Sequence, residues 1–537
     1  MIDFDKILYF DGGMGTMLQR SVLKPGEQPE KLNLTHPEAV LDVHRQYAEA
    51  GCDIVKTNTF GLNPIKFPAH GEVEKIAAAA VGLARRAAGD KLVAIDCGPT
   101  GKLLKPYGDL DFEEAVAAFA EVMSAGERHG ADLVLIETMS DLYELKAAIL
   151  AAKESTSLPI FATVTLDEHG KLLTGADIAA VVALAEGTGV TAVGINCGLG
   201  PKQVKKLFET MREYASIPII LNPNAGLPQV RDGVTFFDVS PADFAAEMRE
   251  LAEMGAAVMG GCCGTTPEHI REMAHVTKSI TPRPAEKKGH TIVSSYGKTV
   301  IIGEETVIIG ERINPTGKPD MEASLREGDW DYIVDEAFDQ IDGGAQILDV
   351  NAGLPDFDEA AAVETIVTEL QKITNTPLQI DSASPAVMER ALRVYNGKAL
   401  VNSVSGVAES MAAIFPIVKK YGGVAVAMTF DENGIPETAE GRLEIARRIV
   451  GEAQRHGIDK KDIIVDPLAL TGSMGAEQAD ITLDALKLIK AELGVKTMLG
   501  VSNVSFGMPD REAATAEFYK RAVNAGLDAA IINPDYL

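Results

Sequence analysis

Short apolar, β-branched runs recur through the first half of the chain, at residues 8–10, 53–57, 92–95, 133–136, 160–165, 192–195, 219–221 and 256–259. Between them lie longer stretches with helical spacing. In residues 37–50, Val40, Leu41, His44, Tyr47 and Ala48 recur every three to four positions, and residues 112–129 repeat the pattern. Eight strands alternating with helices over about 270 residues predict a (β/α)8 TIM barrel.

The rhythm breaks at Thr281-Pro-Arg-Pro-Ala-Glu-Lys-Lys-Gly-His290, a Pro-rich, charged stretch without periodicity that reads as a linker. Its continuation, 290–302, reads as a short hairpin or an extended arm. Apolar runs then restart at 307–310, 347–350, 378–380, 399–401, 424–428, 463–465, 497–501 and 529–532. Again there are eight. A doubly wound sheet is the alternative, but two counts of eight favour two tandem barrels. The expected domains are 1–280, a linker at 281–300, and 301–537. The chain stops at Asn533-Pro-Asp-Tyr-Leu537, where a complete barrel would add a closing helix, so the second barrel is expected to be truncated after its eighth strand.

Composition adds little to the fold but narrows the partners. The chain has 537 residues, 46% hydrophobic and 24% charged, as in ordinary globular proteins. Its formal charge of −28 argues against nucleic acid or an anionic membrane as a main partner. The sequence shows no apolar run long enough to span a bilayer, and Met1-Ile-Asp-Phe-Asp-Lys6 has no signal-peptide character. Five cysteines do not make a disulfide framework. A reducing cytoplasm is the expected compartment, with thiolates available for metal.

The candidate chemistry lies at the strand ends, which form the functional face of a barrel enzyme. In the first half these read Asp11-Gly-Gly13, Thr57-Asn-Thr-Phe60, Asp96-Cys-Gly98, Glu137-Thr138, Asn196-Cys197, Asn222-Pro-Asn224 and Gly260-Gly-Cys-Cys263. Cys197 follows strand six; Cys262 and Cys263 follow strand eight. A free cysteine is ordinarily a small buried hydrophobe, and Cys52 and Cys97 are read that way. The other three are wrapped in glycine at converging strand ends, which suits an open zinc site of three thiolates with one position for substrate. Zinc in such a set is a poor activator of water but deprotonates an incoming thiol. Glu137 at the rim could hold a substrate ammonium or serve as a turn carboxylate; Asp11 could do similar work. A substrate carboxylate could rest on the Gly12-Gly13 amides or near Thr57. The histidines fall on helices and loops and are read as solvated or structural.

The strand ends of the second half read Glu311-Arg-Ile-Asn314, Asn351-Ala-Gly353, Asp381-Ser382, Asn402-Ser403, Asp466-Pro467 and Ser502-Asn503. Each Asp or Asn alone is commonly a turn residue. As a ring with almost no cation, they suit a polar heterocycle offering several donors and acceptors. Gly310-Glu-Arg-Ile-Asn-Pro-Thr-Gly-Lys318 has six residues between its glycines rather than the phosphate loop's four. There is no dinucleotide fingerprint.

Together the halves resemble the N-terminal half of the cobalamin-dependent methionine synthase family. Asp11-Gly-Gly-Met-Gly-Thr16, Lys56-Thr-Asn-Thr-Phe60, Gly194-Ile-Asn-Cys-Gly198 and Gly260-Gly-Cys-Cys-Gly264 look like its homocysteine S-methyltransferase barrel. Gly310-Glu-Arg-Ile-Asn-Pro-Thr-Gly317, Leu348-Asp-Val-Asn-Ala-Gly353, Asp381-Ser382, Asn402-Ser403, Asp466-Pro467 and Gly500-Val-Ser-Asn-Val-Ser-Phe-Gly507 look like its pterin-binding barrel. The resemblance implies that Cys197, Cys262 and Cys263 ligate Zn2+, with homocysteine sulfur in the fourth position. Asp11, Gly12, Thr57, Glu137 and Asn196 would surround the amino-acid end. Asp381, Asn402 and Asp466 would bind the pterin of 5-methyltetrahydrofolate, with Glu311, Asn314 and Arg511 shaping the mouth. Asn503 and Asp466 would be catalytic, Asn503 near N5 as the methyl group leaves.

The same resemblance implies a relay in which cobalamin carries methyl between the barrels and yields methionine and tetrahydrofolate. No cobalamin-binding module is present in this sequence, so that partner would act in trans or lie outside it. Three other readings compete. One is a cobalamin-independent homocysteine S-methyltransferase using betaine or S-methylmethionine. Another is a non-catalytic, zinc-stabilised binding module. Dihydropteroate synthase is the third, disfavoured by the want of a basic pocket for a pyrophosphate leaving group.

Overall fold

The computed structural model describes residues 2–231, 234–471 and 476–537. The chain divides into two compact units, Met1–Glu186 with Val190–Lys288, and Gly289–Leu537 with Gly187–Gly189. Each is a (β/α)8 barrel of parallel strands; neither is a doubly wound sheet.

The first barrel uses strands Leu8–Tyr9, Ile54–Lys56, Leu92–Cys97, Leu133–Met139, Ile160–Val164, Ala192–Asn196, Ile219–Asn222 and Val258–Met259. They are buried on both faces, which is why they read as continuous apolar runs rather than alternating ones. The ring closes where Phe10 bridges to Ile54, with Asp53 N donating to Tyr9 O at 2.7 Å and Asp11 N to Ile54 O at 3.2 Å. Leu8, Phe10, Ile54, Leu133, Leu135, Phe161 and Ile220 fill the interior. Phe10 meets Phe161 edge-on with centroids 6.2 Å apart. At Gly194 the neighbouring strand passes so close that a Cβ would collide with the Ile220 carbonyl. A glycine is required there, three residues before Cys197.

The second barrel is closed by strands Val307–Ile313, Ile347–Val350, Leu378–Asp381, Leu400–Ser405, Val424–Met428, Ile463–Asp466, Lys496–Gly500 and Ala529–Ile532. Of the two forms open to residues 290–302, the structure shows the hairpin: Thr291–Ser294 pairs antiparallel with Thr299–Ile302. Val293, Val300 and Ile302 pack into the same core as Val307, Ile347 and Leu400, so the hairpin plugs the base of this barrel. Tyr395 Oη donates to Ser294 O at 2.8 Å, and Ser294 and Lys398 exchange backbone hydrogen bonds. Both mouths, at the carboxyl ends of the strands, are left to loops. No helix among the described residues is long and apolar enough to cross a membrane.

Candidate active site and metal centre

Three chain segments build the mouth of the first barrel, and strand seven staples them together. After Asn196 the backbone enters the left-handed region at Cys197 (φ 57°) and Gly198 (φ 69°), turning the Cys197 side chain at the strand end. Cys197 N donates to Asn222 O at 3.1 Å, Cys262 N to Pro223 O at 2.9 Å, and Cys263 N to Asn224 Oδ1 at 3.0 Å. Asn222-Pro-Asn224 therefore fixes all three cysteines through their backbones.

The sulfurs of Cys197, Cys262 and Cys263 all lie within 4.8 Å of one another, and Cys197 Sγ is 3.9 Å from Cys263 Sγ. A tetrahedral zinc with ~2.3 Å bonds to sulfur needs edges of about 3.8 Å. The donor set fits zinc. Without a metal, three thiols this close share one charge. The Cys262 and Cys263 thiols donate to Cys197 and hold it far below the usual thiol range, while Cys262 and Cys263 are pushed up. A divalent cation removes that conflict by holding all three as thiolates. Cys52 and Cys97 are buried core residues, as read from sequence.

Beneath the sulfurs lies a charged cluster. Lys56 Nζ is 3.6 Å from Glu137 Oε2 and 3.8 Å from Asp11 Oδ1, with all three side chains buried. Burial alone would lower the lysine, but the charges of Glu137 and Asp11 outweigh it and hold it well above its ordinary value. Asp11 is raised to about 7, chiefly by burial. Asp96, hydrogen-bonded to Glu137, is pushed well up by burial and by that neighbour's charge. Asp11 Oδ1, Asp96 Oδ1 and Glu137 Oε2 have no hydrogen-bond partner among the described residues. Lys56, Thr57, Asp96, Glu137 and the three cysteines line one cavity of about 310 Å³ with the backbone at Gly12 and Gly13.

Two of the sequence candidates sit differently from the rest. The Thr57 hydroxyl is engaged within the fold, with Thr59 Oγ1 at 2.6 Å and Asp96 N at 3.1 Å. Asn196 is fully buried behind the lining. Its Oδ1 accepts from Thr138 N (2.8 Å) and Thr163 Oγ1 (2.9 Å), and its Nδ2 donates to Thr138 Oγ1 (2.7 Å). That grip holds Thr138 at φ 64°, a left-handed conformation few threonines adopt. Lys56, which lines the cavity, is not among the sequence candidates. Its signal was a cation ending the otherwise apolar run Ile54-Val-Lys56. His44 is buried without a partner among the described residues and, lowered by burial to about 4, stays neutral.

The second mouth gathers its candidates by strand register. Asp381 stands opposite Asn402, and Asp466 opposite Met428. Asn351 Nδ2 donates to Asp381 Oδ2 at 3.0 Å, and the Asn402 Oδ1 is buried without a partner among the described residues. Burial raises both Asp381 and Asp466 to about 6. Asp466 Oδ1 accepts from Leu468 N at 2.7 Å, with Leu468 at φ 69°. Asn503 lies in the short helix Val501–Ser505 against Gly500, where a Cβ would stand 2.7 Å from its Nδ2. Asn314 Oδ1 accepts from Thr316 N at 2.9 Å. Arg511 begins the helix Arg511–Asn524, its guanidinium 5.7 Å from the Phe506 ring centre.

Two cations modify the ring read from sequence. Lys318 Nζ donates to Glu311 O and Arg312 O at 3.2 and 3.0 Å. Arg442, fully buried, donates to Pro467 O at 2.8 Å and Leu468 O at 2.9 Å, gripping the turn that carries the Leu468 amide.

Comparison with known families gives each barrel a counterpart. The homocysteine S-methyltransferase family matches residues 8–277, and the pterin binding enzyme family matches residues 310–533. The class is a two-barrel methyltransferase, one barrel matching the homocysteine S-methyltransferase family and the other the pterin binding enzyme family. Methionine synthases of Mycobacterium tuberculosis and Mycobacterium leprae are each 31% identical over 98% of this chain and 47% of their own length. The chain thus spans about half the length of these relatives. The oxidized form of the Escherichia coli homocysteine methyltransferase MmuM is 26% identical, with a TM-score of 0.44, over 50% of this chain and 95% of that one. The chain belongs to the homocysteine S-methyltransferase family.

Proposed function

We propose that the first barrel holds homocysteine through its sulfur on a zinc ion bound by Cys197, Cys262 and Cys263, and methylates it to methionine. The carrying observation is the trio of sulfurs opening onto a cavity lined by carboxylates whose oxygens include some that accept no hydrogen bond among the described residues. Zinc, when bound, supplies a thiolate nucleophile at neutral pH. The protein's own groups do the rest: Glu137 and Asp11 take the substrate ammonium, and the cavity orients the sulfur toward the open mouth. The second barrel binds 5-methyltetrahydrofolate. Asp381, Asn402 and Asp466 hold its pterin, Asn503 hydrogen-bonds near N5, and Glu311, Asn314 and Arg511 shape the entrance.

Two donor schemes follow. The first barrel has a complete pocket and its own family match over 8–277. That supports a direct, cobalamin-independent transfer from a donor such as betaine or S-methylmethionine. The tandem pterin module supports the relay, in which cobalamin supplied in trans receives methyl from the folate and delivers it to homocysteine. Four assays on purified chain separate them. Methyl transfer from betaine or S-methylmethionine to homocysteine without cobalamin establishes the direct scheme. Transfer from 5-methyltetrahydrofolate to reduced cobalamin, together with transfer from methylcobalamin to homocysteine, establishes the relay. Homocysteine that releases no proton on binding zinc-loaded protein would overturn both.

A further inference from the structure

We propose that Arg442 is a positioning residue for the second mouth, setting the turn after Asp466 so that the Leu468 amide locks the carboxylate in the orientation that holds the pterin. This deepens the pterin reading of that barrel and rests on it. Thr429 fixes the backbone of Asp466, its N and Oγ1 donating to Asp466 O at 3.1 and 3.2 Å. The side chain is held by a different contact, Leu468 N donating to Asp466 Oδ1 at 2.7 Å. That contact comes with Leu468 in the left-handed region, at φ 69°, where a leucine stays only if its surroundings hold it. Arg442 supplies the hold. From the first turn of the helix Ala439–Arg455, its Nη1 donates to Pro467 O, Leu468 O and Thr482 Oγ1 at 2.8, 2.9 and 2.9 Å, and its Nε to Pro436 O at 3.1 Å. Thr482 Oγ1 in turn donates to Leu468 O at 2.9 Å.

The choice of a charged side chain points the same way. A clip for carbonyl oxygens needs only neutral donors. Arg442 instead brings a fully buried charge with no carboxylate at ion-pair distance among the described residues, which is costly unless the charge is used. Its Nη2 is buried without a hydrogen-bond partner among the described residues. The carboxylate that feels its charge is Asp466. Burial raises Asp466 to about 6, while the Leu468 and Gly500 amides and the Arg442 charge pull it down. One guanidinium thus sets both the direction of this carboxylate and its ionisation, acting through Leu468 and not on the pterin itself.

The test measures 5-methyltetrahydrofolate affinity by fluorescence quenching in the full chain, as wild type, R442M, D466A and R442M/D466A. R442M is expected to weaken binding about tenfold, the worth of one charge-assisted hydrogen bond, but less than about twofold where Asp466 is already alanine. The pH below which binding falls away should move upward in R442M, because Asp466 loses the charge that favours its ionised form. It should stay near the wild-type value in R442K, which keeps that charge. Asp381, also raised to about 6, is unaltered in these variants and shifts no midpoint between them. Equal weakening with and without Asp466, or wild-type affinity in R442M, would overturn the proposal and leave Arg442 a plain clamp of the loops. Should R442M fail to fold, T482V removes the hydroxyl between Arg442 and Leu468 O, and a loss of about threefold that depends on Asp466 is expected. A loss independent of Asp466, or none, would overturn the proposal equally. Wild type that binds no 5-methyltetrahydrofolate would sink the pterin reading, and this proposal with it, a result distinct from the others.

Discussion

At the scale of single residues, the two mouths use charge in opposite ways. In the first, three sulfurs are forced together until only a cation reconciles them. Cys197→Ser should leave a folded barrel by circular dichroism but abolish stoichiometric zinc in a chelator-release assay; unfolding would instead mark the trio as a structural pin. In the second mouth, Asp466 is buried as a carboxylate that burial disfavours. Its folded value, about 6, lies above the 3.8 of an unfolded chain. The folded state therefore binds the proton more tightly, and stability falls as pH rises between those values. Asp466→Asn should stabilise the protein at neutral pH by about 3 kcal/mol, with the gain disappearing below about pH 4. Denaturant titrations at both pH values check it, and a gain that persists in acid would show that the aspartate is not the cause.

At the scale of elements, strands and helices were legible because a parallel barrel buries each strand on both faces, leaving apolar runs separated by amphipathic helices. The sites were legible only in part. Cysteines and aspartates at strand ends stand out by residue type. Lys56 does not, because nothing in Ile54-Val-Lys56-Thr says that the lysine turns into the barrel mouth instead of snorkelling to solvent. Asn196, in the strongest motif, bonds Thr138 and Thr163 and sets its Nδ2 4.0 Å from Cys262 Sγ, contacts that its residue type alone does not announce. The grip of Arg442 on residues 467 and 468 is equally hidden, since its partners are carbonyl oxygens 25 and 26 positions away. Gly194 offers an element-scale prediction. Gly194→Ala should lower stability by about 3 kcal/mol by wedging strands six and seven apart. A thermal melt of that variant should shift downward, with zinc affinity falling alongside it; an unshifted melt would show that the strands can yield.

At the scale of the whole molecule, the chain has two barrels, each with its own core. Independent cores make independent unfolding units the default expectation. Stripping the metal with a chelator should therefore leave 5-methyltetrahydrofolate affinity within about twofold of the loaded protein, measured by fluorescence quenching. A larger change would reveal coupling between the two sites.

Strand seven carries a consequence for how the metal arrives. Because Asn222-Pro-Asn224, through two carbonyls and the Asn224 side chain, already clasps the backbones of all three cysteines, the sulfurs are mustered by the barrel before any ion is near. The ion is a late guest in a finished house and not the nail that holds the frame. Metal-stripped protein should then melt within a few degrees of the loaded form and refill on simple addition of zinc, so a cell could ration or exchange the metal without refolding a single molecule.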